Sequence, residues 1–269
     1  MKKILVIALG GTIGSVKTDC IELDKNNLKI LDYCKRADVE FEGVSPFSVL
    51  SENMSILLWK KLIEFLNNVK FECYTGAIIL HGSDTLAYTS AVIGNAFCDK
   101  NIVFVASDKP VEDSESNGID NFNRAVEHLI SGTKGVYVSY NKIIPAVAVT
   151  SAGVDDEFDC IPAACDYANS RKIYDRNILI INSYVGINID NYNFDNADAV
   201  LINMFHSATV PKCFAELSER LNIPIYFVTH KPSADYETAK GIKNIIYNST
   251  VENAYAKLLL SSRFPLCAD

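Results

Sequence analysis

Two polar stretches of the chain each deliver hydroxyl groups directly after an apolar run. Segment 10–14, GGTIG, carries Thr12, and segment 81–85, HGSDT, carries Ser83 and Asp84. Serine and threonine hydroxyls become nucleophiles when a base takes their proton, and a carboxylate binds an ammonium group through a charge-assisted hydrogen bond. The glycines beside them let the backbone adopt positive φ and approach a ligand closely. The two stretches are therefore candidate parts of one reactive site.

Two buried parallel strands must position these hydroxyls. The apolar runs 3–9 and 77–80 each end in glycine or in a polar cluster, which is typical of strands covered on both faces. Open α/β sheets bind their ligands beyond the carboxyl ends of such strands. A helix is predicted over 86–97, and the structural alternative is that Ser83 or Thr85 caps it. That alternative explains one hydroxyl and leaves the other polar residues unexplained.

Strands alternate with helices along most of the chain, which predicts a parallel sheet covered on both faces. A strand near 47–50 precedes the polar turn SENM at 51–54. The polar residues 15–30 favour a surface loop over a mobile lid. The other predicted strands are 102–106, 135–140, 178–183, 199–203 and 225–229, and the other predicted helices are 55–69, 121–130, 211–221 and 250–260.

This pattern predicts the α/β fold class with two domains. The larger N-terminal domain has a mainly parallel sheet covered by helices, and the smaller C-terminal α/β domain has a parallel sheet of its own. We predict that the domains span residues 1–170 and 177–269. The boundary is expected near 168–176, with a linker from Asn169 to Lys172.

Composition excludes several classes of partner. The chain has 269 residues, 49% of them hydrophobic, a net charge of -8 and a pI of about 5.1, without a basic stripe, so we expect no nucleic acid partner. No apolar run approaches the ~20 residues that span a bilayer, and the first run is too short for a signal peptide, so we expect a cytoplasmic protein without a membrane partner. The histidines and cysteines lack HExxH and CxxC spacings, so we expect no metal and no cofactor.

Taken together, the motifs resemble those of the bacterial L-asparaginases, amidohydrolases that use threonine nucleophiles. The likeness runs in order over roughly residues 1–140, and the second half is similar more loosely, as a smaller α/β domain. One motif alone is a weak signal, but several in order make coincidence improbable. The matching segments are GGTIG (10–14), SENM (51–54), HGSDT (81–85) and the stretch from Lys109-Pro110 to Asn121.

The resemblance implies hydrolysis of L-asparagine to L-aspartate and ammonia, with a small-molecule substrate and a homodimer or homotetramer as the assembly. It implies an active site at the ends of the N-terminal strands. Thr12 matches the nucleophile, Ser83 stands where the family has its second threonine, and Asp84 matches the residue that takes the α-ammonium group. Gly11 and Gly82 belong to turns whose N–H groups would hold the substrate and its oxyanion.

Three more residues have roles implied by the resemblance. Ser51 would donate to the α-carboxylate of the substrate, and Glu52 stands at the family's position for contacting the amino group. Glu237 corresponds to a glutamate that a neighbouring subunit supplies.

The chain departs from the family pattern at two functional positions. The lysine that partners the second hydroxyl is replaced by Ser151, with Lys142 as an alternative source of the ammonium group. The lid tyrosine has no counterpart, because Cys20 occupies its neighbourhood and no tyrosine precedes Tyr33. A serine cannot replace an ammonium group electrostatically, so we predict low asparaginase activity.

Two other functions stay open beside asparagine hydrolysis. One is a binding or sensing protein on the same fold, in which catalysis has decayed and the amino-acid pocket remains. The other is an amidohydrolase for a different small amide, including glutamine. We also predict that His81 is structural and that the acidic run 155–157 is a solvated loop.

Overall fold

A six-stranded sheet forms the N-terminal part of the protein. The computed structural model describes residues 1–162 and 170–264. The strand order is β4-β1-β5-β6-β7-β8, and every neighbouring pair is parallel except β7 with β8. The strands of this half are β1 (Lys2–Ala8), β2 (Ser15–Lys17), β3 (Ile21–Leu23), β4 (Val39–Val44), β5 (Gly76–Leu80), β6 (Asn101–Val105), β7 (Gly135–Tyr140) and β8 (Lys142–Pro145), and β2 and β3 form a separate two-stranded sheet.

Helices cover both faces of this sheet and account for its continuous apolar runs. Every residue of β5 is buried, because one hydrophobic cluster packs on each side of the strand. The Ser55 hydroxyl caps the second helix by accepting from the N–H of Leu58 at 3.4 Å. The helices of this half are α1 (Ile30–Tyr33), α2 (Ile56–Asn68), α3 (Leu86–Ala96) and α4 (Gly118–Ser131).

The strand predicted near 47–50 is wrong. The strand that pairs with β1 is β4, and only Val49 of the predicted segment forms an isolated bridge, to Gly10. The reason is that β4 is an edge strand with a solvated face. Its acids Glu40 and Glu42 face the Lys3 ammonium group at 3.9 and 2.7 Å, so the strand alternates polar with apolar residues and shows no apolar run.

Within residues 15–30, where the sequence favoured a loop, β2 and β3 pair as an antiparallel hairpin over residues 15–23. These strands are short and largely exposed, so their pairing leaves no hydrophobic pattern to read. The buried Lys29 ammonium group holds the base of the hairpin, at 2.5 Å from the carbonyl oxygen of Ser15. It also pairs with Asp24 at 3.3 Å and with Glu112 at 2.6 Å.

A second, fully parallel sheet forms the C-terminal part, in the order β12-β11-β10-β9. The predicted α/β fold class, with a larger and a smaller parallel sheet, is therefore confirmed. The two-residue β12 and the short β8 are too brief to leave a periodic signal. The remaining elements are β9 (Ile178–Asn182), β10 (Ala199–Asn203), α5 (Cys213–Arg220), β11 (Ile225–Val228), β12 (Ile245–Ile246) and α6 (Val251–Leu260).

Helix α6 joins the two sheets through one hydrophobic cluster. It packs on α3, and the cluster that contains both helices continues to Leu201 and Tyr226 on the second sheet. The buried side chain of Asn95 on α3 donates to the amide oxygen of Asn253 on α6 at 2.8 Å. In the described ranges, no helix is long and apolar enough to cross a membrane.

The predicted domain boundary falls partly outside the described residues, which omit 163–169. The part that follows is held to the N-terminal half. The Arg171 guanidinium donates to the carbonyl oxygen of Ala96 at 3.2 Å and to the Asp99 carboxylate at 2.9 Å. The domain limits 1–170 and 177–269 stay predictions.

We expect Leu258→Ala to lower the free energy of unfolding by about 2–5 kcal/mol and to leave one cooperative transition. Leu258 is fully buried on α6 in the cluster that spans both sheets, so its loss weakens both halves together. The matched control is Leu57→Ala on α2, where the side chain is 63% exposed. Urea denaturation followed by circular dichroism measures both variants. Two separate transitions in the wild type would contradict a shared core.

Candidate active site

The carboxyl ends of β1 and β5 bring the two hydroxyl-bearing loops into backbone contact. The strands are parallel neighbours, and Ala8 stands opposite Leu80. Gly11 has φ of 81°, and a Cβ built on it would lie 2.3 Å from the backbone N of Gly82. No side chain fits in that space, because real Cβ atoms do not approach backbone atoms so closely. Glycine at position 11 is therefore required for the two loops to meet.

A third loop closes on the same point. A Cβ on Gly82 would lie 2.5 Å from the Ser51 Oγ. The buried Ser51 hydroxyl donates to the Asp84 carboxylate at 3.0 Å, and the Thr85 hydroxyl donates to the carbonyl oxygen of Ser51 at 2.8 Å. Four of the residues selected from the sequence, Gly11, Gly82, Ser51 and Asp84, thus come together from three separate segments of the chain.

Thr12 is the first residue of a single 3-10 turn that ends at Gly14. Gly11 is the residue before this turn, and its carbonyl oxygen accepts from the N–H of Gly14 at 3.0 Å and from the hydroxyl of Ser15 at 2.8 Å. These two bonds fix the turn around the half-buried Thr12.

Neither candidate hydroxyl caps α3. Thr85 occupies the N-cap position without a side-chain capping bond, because its hydroxyl donates to the carbonyl oxygen of Ser51 instead. Ser83 contributes its carbonyl oxygen, which accepts from the N–H of Leu86 at 3.2 Å. The capping alternative is therefore wrong, and the Ser83 hydroxyl is available to the site.

His81 supports the loop from inside. Its ring is buried, packs edge-on against Phe104 at 6.0 Å and bonds through Nδ1 to the carbonyl oxygen of Gly82 at 2.8 Å. Burial lowers the pKa of His81 to about 4, so the ring is neutral at pH 7 and Nδ1 is the donor. These contacts agree with the structural role predicted for His81.

A pocket with a volume of about 260 Å³ opens beside these loops. Its described lining contains Ser83 and Asp84 but not Thr12, Ser51 or Glu52, which lie in the adjoining turns. Glu52 is exposed in the 3-10 turn that begins at Ser51. The lining residues are Ser83, Asp84, Asp108, Tyr140, Ser151, Ala152 and Asp156.

Sequence reasoning missed three of the polar residues in this lining, Asp108, Tyr140 and Asp156. Asp108 and Tyr140 follow or end a buried strand, which is the signal that selected Thr12 and could have selected them. Asp156 belongs to the acidic run that was expected in a solvated loop. It is exposed as expected, but its backbone turns at φ of 58° and the residue also lines the pocket. A single residue inside an acidic run carries no pattern that distinguishes it.

The most unexpected group at the site is the carboxylate of Glu252. Ser151, which the resemblance aligns with the family lysine, donates to one Glu252 oxygen from its hydroxyl at 2.6 Å and from its N–H at 3.1 Å. Glu252 lies in the first turn of α6 and is 5% exposed. Lys142 is exposed at the start of β8 and does not line the pocket among the described residues. A contact over 101 residues of sequence leaves no local signal.

The described residues contain no group of three or more His, Cys, Asp or Glu side chains that could hold a metal ion.

One family model and several known proteins are similar to parts of this chain. A family model described as Asparaginase, N-terminal, matches residues 3–165. A glutamyl-tRNA(Gln) amidotransferase chain of Methanobrevibacter smithii is 30% identical over an aligned length of 136 residues, covering 44% of this chain and 30% of that protein. L-asparaginase of Thermococcus kodakarensis is 29% identical over 147 residues, covering 51% of this chain and 44% of that protein. Both matches therefore span less than half of the relative.

Solved structures agree over nearly the whole chain. The thermostable L-asparaginase from Thermococcus kodakarensis superposes with a TM-score of 0.72 at 20% identity, covering 95% of this chain and 86% of that one. L-asparaginase I from Vibrio cholerae superposes with a TM-score of 0.76 at 19% identity, covering 96% and 92%. At these identities the likeness shows the fold, with its larger and smaller α/β parts.

We expect Gly11→Ala to lower the free energy of unfolding by about 2 kcal/mol or more, because backbone strain of this kind costs of order 1–3 kcal/mol and a clash with Gly82 is added. The control is Gly132→Ala, since Gly132 has φ of 79° and open space around it. We expect about 1 kcal/mol there. Equal losses of unfolding free energy in the two variants, measured by urea denaturation, would contradict a clash between a side chain at position 11 and Gly82.

We expect His81 to make the protein less stable as the pH falls below about 6.5. Its folded pKa of about 4 lies under the ordinary histidine value of 6.5, so the unfolded chain binds a proton in that window that the native state does not. The loss should reach roughly 2 kcal/mol at pH 5 relative to pH 7.5. Denaturation midpoints across this range should flatten in His81→Gln and keep their slope in His230→Gln, where the histidine is exposed. An unchanged slope in His81→Gln would contradict the assignment.

Proposed function

The chain belongs to the asparaginase family, and we propose that it is an amidohydrolase that releases ammonia from a small carboxamide through Thr12, with L-asparagine as the reference substrate and L-aspartate as its product. The observation that carries the proposal is the contact of Gly11 with Gly82, because it brings the loop of Thr12 against the loop of Ser83. Amide hydrolysis needs a nucleophile, a group that takes its proton and donors for the oxyanion. In this proposal Thr12 is the nucleophile, the leaving amide nitrogen takes its proton, and backbone N–H groups of the two glycine turns are the donors.

The reaction then follows in two steps. The Thr12 Oγ attacks the carbonyl carbon, and its proton passes to the amide nitrogen. The C–N bond breaks, ammonia leaves, and the acyl group remains as an ester on Thr12. Water then attacks the ester carbonyl carbon. The bond from that carbon to the Thr12 Oγ breaks, the carboxylic acid leaves with the water oxygen, and one proton of the water goes to the Thr12 Oγ. Backbone N–H groups of the Gly11 and Gly82 turns hold the oxyanion, since neither residue has a side chain to block the approach.

The other selected residues have binding roles in this proposal. Asp84 lines the pocket and accepts from Ser51, so its carboxylate is oriented to take an ammonium group of the substrate. Ser83 presents its hydroxyl to the same pocket as the second hydroxyl of the site. Glu52 contacts the amino group from the adjoining turn, and Ser51 holds the loop that carries it.

The assembly and the location are part of the proposal too. The homodimer or homotetramer implied by the resemblance would let Glu237 of one subunit reach the site of another. Glu237 is exposed in its 3-10 turn, which is compatible with that role. The proposed location is the cytoplasm, as expected from the sequence.

A second candidate function is a binding or sensing protein. The observation that favours it is the Ser151 to Glu252 hydrogen bond, because Ser151 is the residue that the resemblance aligns with the family lysine and it faces a carboxylate. In this case the pocket would bind an amino acid tightly and would not turn over an amide.

Ammonia release from a panel of amides tests both functions. The panel contains L-asparagine and L-glutamine, since relatives are named as an L-asparaginase and as glutamyl-tRNA(Gln) amidotransferase chains, together with simple aliphatic amides. We expect ammonia from the wild-type protein and a loss of about 10³-fold or more in Thr12→Ala, because the nucleophile is removed. The folded state should be unchanged by circular dichroism.

The matched control is Thr18→Ala, which removes an exposed hydroxyl in the nearby hairpin. Unchanged turnover in Thr12→Ala would exclude Thr12 as the nucleophile. No ammonia from any amide, combined with tight binding of L-aspartate, would favour the sensor.

A further inference from the structure

The pocket has an unusual charge for a site that would receive an amino acid. Its described lining contains the carboxylates of Asp84, Asp108 and Asp156 and no lysine or arginine. Burial raises the pKa of Tyr140, and the negative charges of Asp108, Asp156 and Glu157 add to that rise. The negative charges of these carboxylates therefore add together at the pocket.

Glu252 adds a buried negative charge behind this lining. Its oxygen accepts two hydrogen bonds from Ser151, and Ser151 lines the pocket. Burial raises the pKa of Tyr88 on α3 to about 12, and the Glu252 charge contributes to that rise. The Glu252 charge therefore acts on the neighbouring helix, and it lies against Ser151, the position at which the family resemblance would put a lysine.

Two hydroxyl groups at the site, those of Ser51 and Ser151, already donate to carboxylates. Ser51 donates its proton to Asp84 at 3.0 Å, and Ser151 donates its proton to Glu252 at 2.6 Å. Because a hydroxyl has one proton to give, both oxygens present only lone pairs to a ligand. At Ser151, which lines the pocket, a ligand carboxylate would meet an acceptor, whereas an ammonium group would meet a partner.

Two lysines of the N-terminal half are paired away from the pocket. Lys109 follows Asp108 in the chain, but its ammonium group pairs with Glu115. The buried Lys29 pairs with Asp24 and Glu112 at the base of the hairpin. These two cations therefore do not balance the carboxylates that line the pocket.

We propose that the substrate is a small amide that carries an ammonium group and no free carboxylate. This inference rests on the proposed amide hydrolysis. It narrows the proposed substrates from small carboxamides in general to amides that carry an ammonium group and lack a free carboxylate. The simplest probe is 3-aminopropanamide, which is L-asparagine without its α-carboxylate. An ammonium group gains from each nearby carboxylate, while the α-carboxylate of L-asparagine is repelled by the same groups.

The test compares kcat/KM for 3-aminopropanamide with kcat/KM for L-asparagine in the wild-type protein. We expect the amino amide to be preferred by about tenfold or more, since charges at contact distance act strongly near a protein surface. Propanamide, which has neither charge, should be poorer than 3-aminopropanamide. A preference for L-asparagine would overturn the inference and leave the proposed amidohydrolase in place.

Charge variants identify the source of the preference. Glu252→Gln keeps the shape and an acceptor for Ser151, and we expect it to lower the ratio of the two kcat/KM values severalfold. Ser151→Lys should lower it further and raise turnover of L-asparagine, because it restores an ammonium group. The matched control is Glu216→Gln, which removes an exposed glutamate from the first turn of α5. A ratio that is equal in Glu252→Gln and Glu216→Gln would remove Glu252 from the inference.

Binding gives a readout that does not need turnover. Titration calorimetry of Thr12→Ala with 3-aminopropanamide and with L-asparagine should show tighter binding of the amino amide. If no amide yields ammonia, the proposed function fails, and this binding preference still decides the charge of the ligand. Tighter binding of L-asparagine would overturn the inference whichever way the turnover experiment ends.

Discussion

The site depends on one backbone contact, between Gly11 at the end of β1 and Gly82 at the end of β5. The two strands are adjacent and parallel, so their following loops must leave the sheet at the same edge. A side chain at Gly11 would force these two loops apart, because its Cβ would lie 2.3 Å from the backbone N of Gly82. A side chain at Gly82 would collide with the third loop, because its Cβ would lie 2.5 Å from the Ser51 Oγ and 3.1 Å from the Gly11 Cα. The absence of two side chains therefore permits Thr12 and Ser83 to belong to one site.

Hydrogen bonds then hold the three loops in register. Ser51 binds Asp84 with its side chain and Thr85 with its carbonyl oxygen, so the turn after β4 is tied to the turn after β5. The neutral ring of His81 donates from Nδ1 to the carbonyl oxygen of Gly82 and so stabilises the turn after β5. Polar groups that a local pattern would assign to helix capping are instead used between loops, which is why the capping alternative failed.

The C-terminal part of the chain contributes to this site through α6. One hydrophobic cluster contains α3, α6 and a face of the second sheet, so the smaller part packs on the helix that follows the HGSDT loop. That packing brings Glu252 against Ser151 and sets the sign of the charge behind the pocket. Because both sheets share this core, the packing of the second sheet also fixes the position of the Glu252 carboxylate beside Ser151.

Local sequence patterns were sufficient for the α/β class, for the strands that are buried on both faces and for the loops that carry Thr12, Ser83 and Asp84. These features follow from local rules, since a run of apolar residues and a glycine turn are visible within a few positions. The edge strand β4 was placed wrongly because a half-solvated strand has no apolar run. The positions of Asp156 at the pocket and of Glu252 behind it emerge only from the folded chain. A contact across 101 positions depends on how the helices pack and leaves no trace in any one segment.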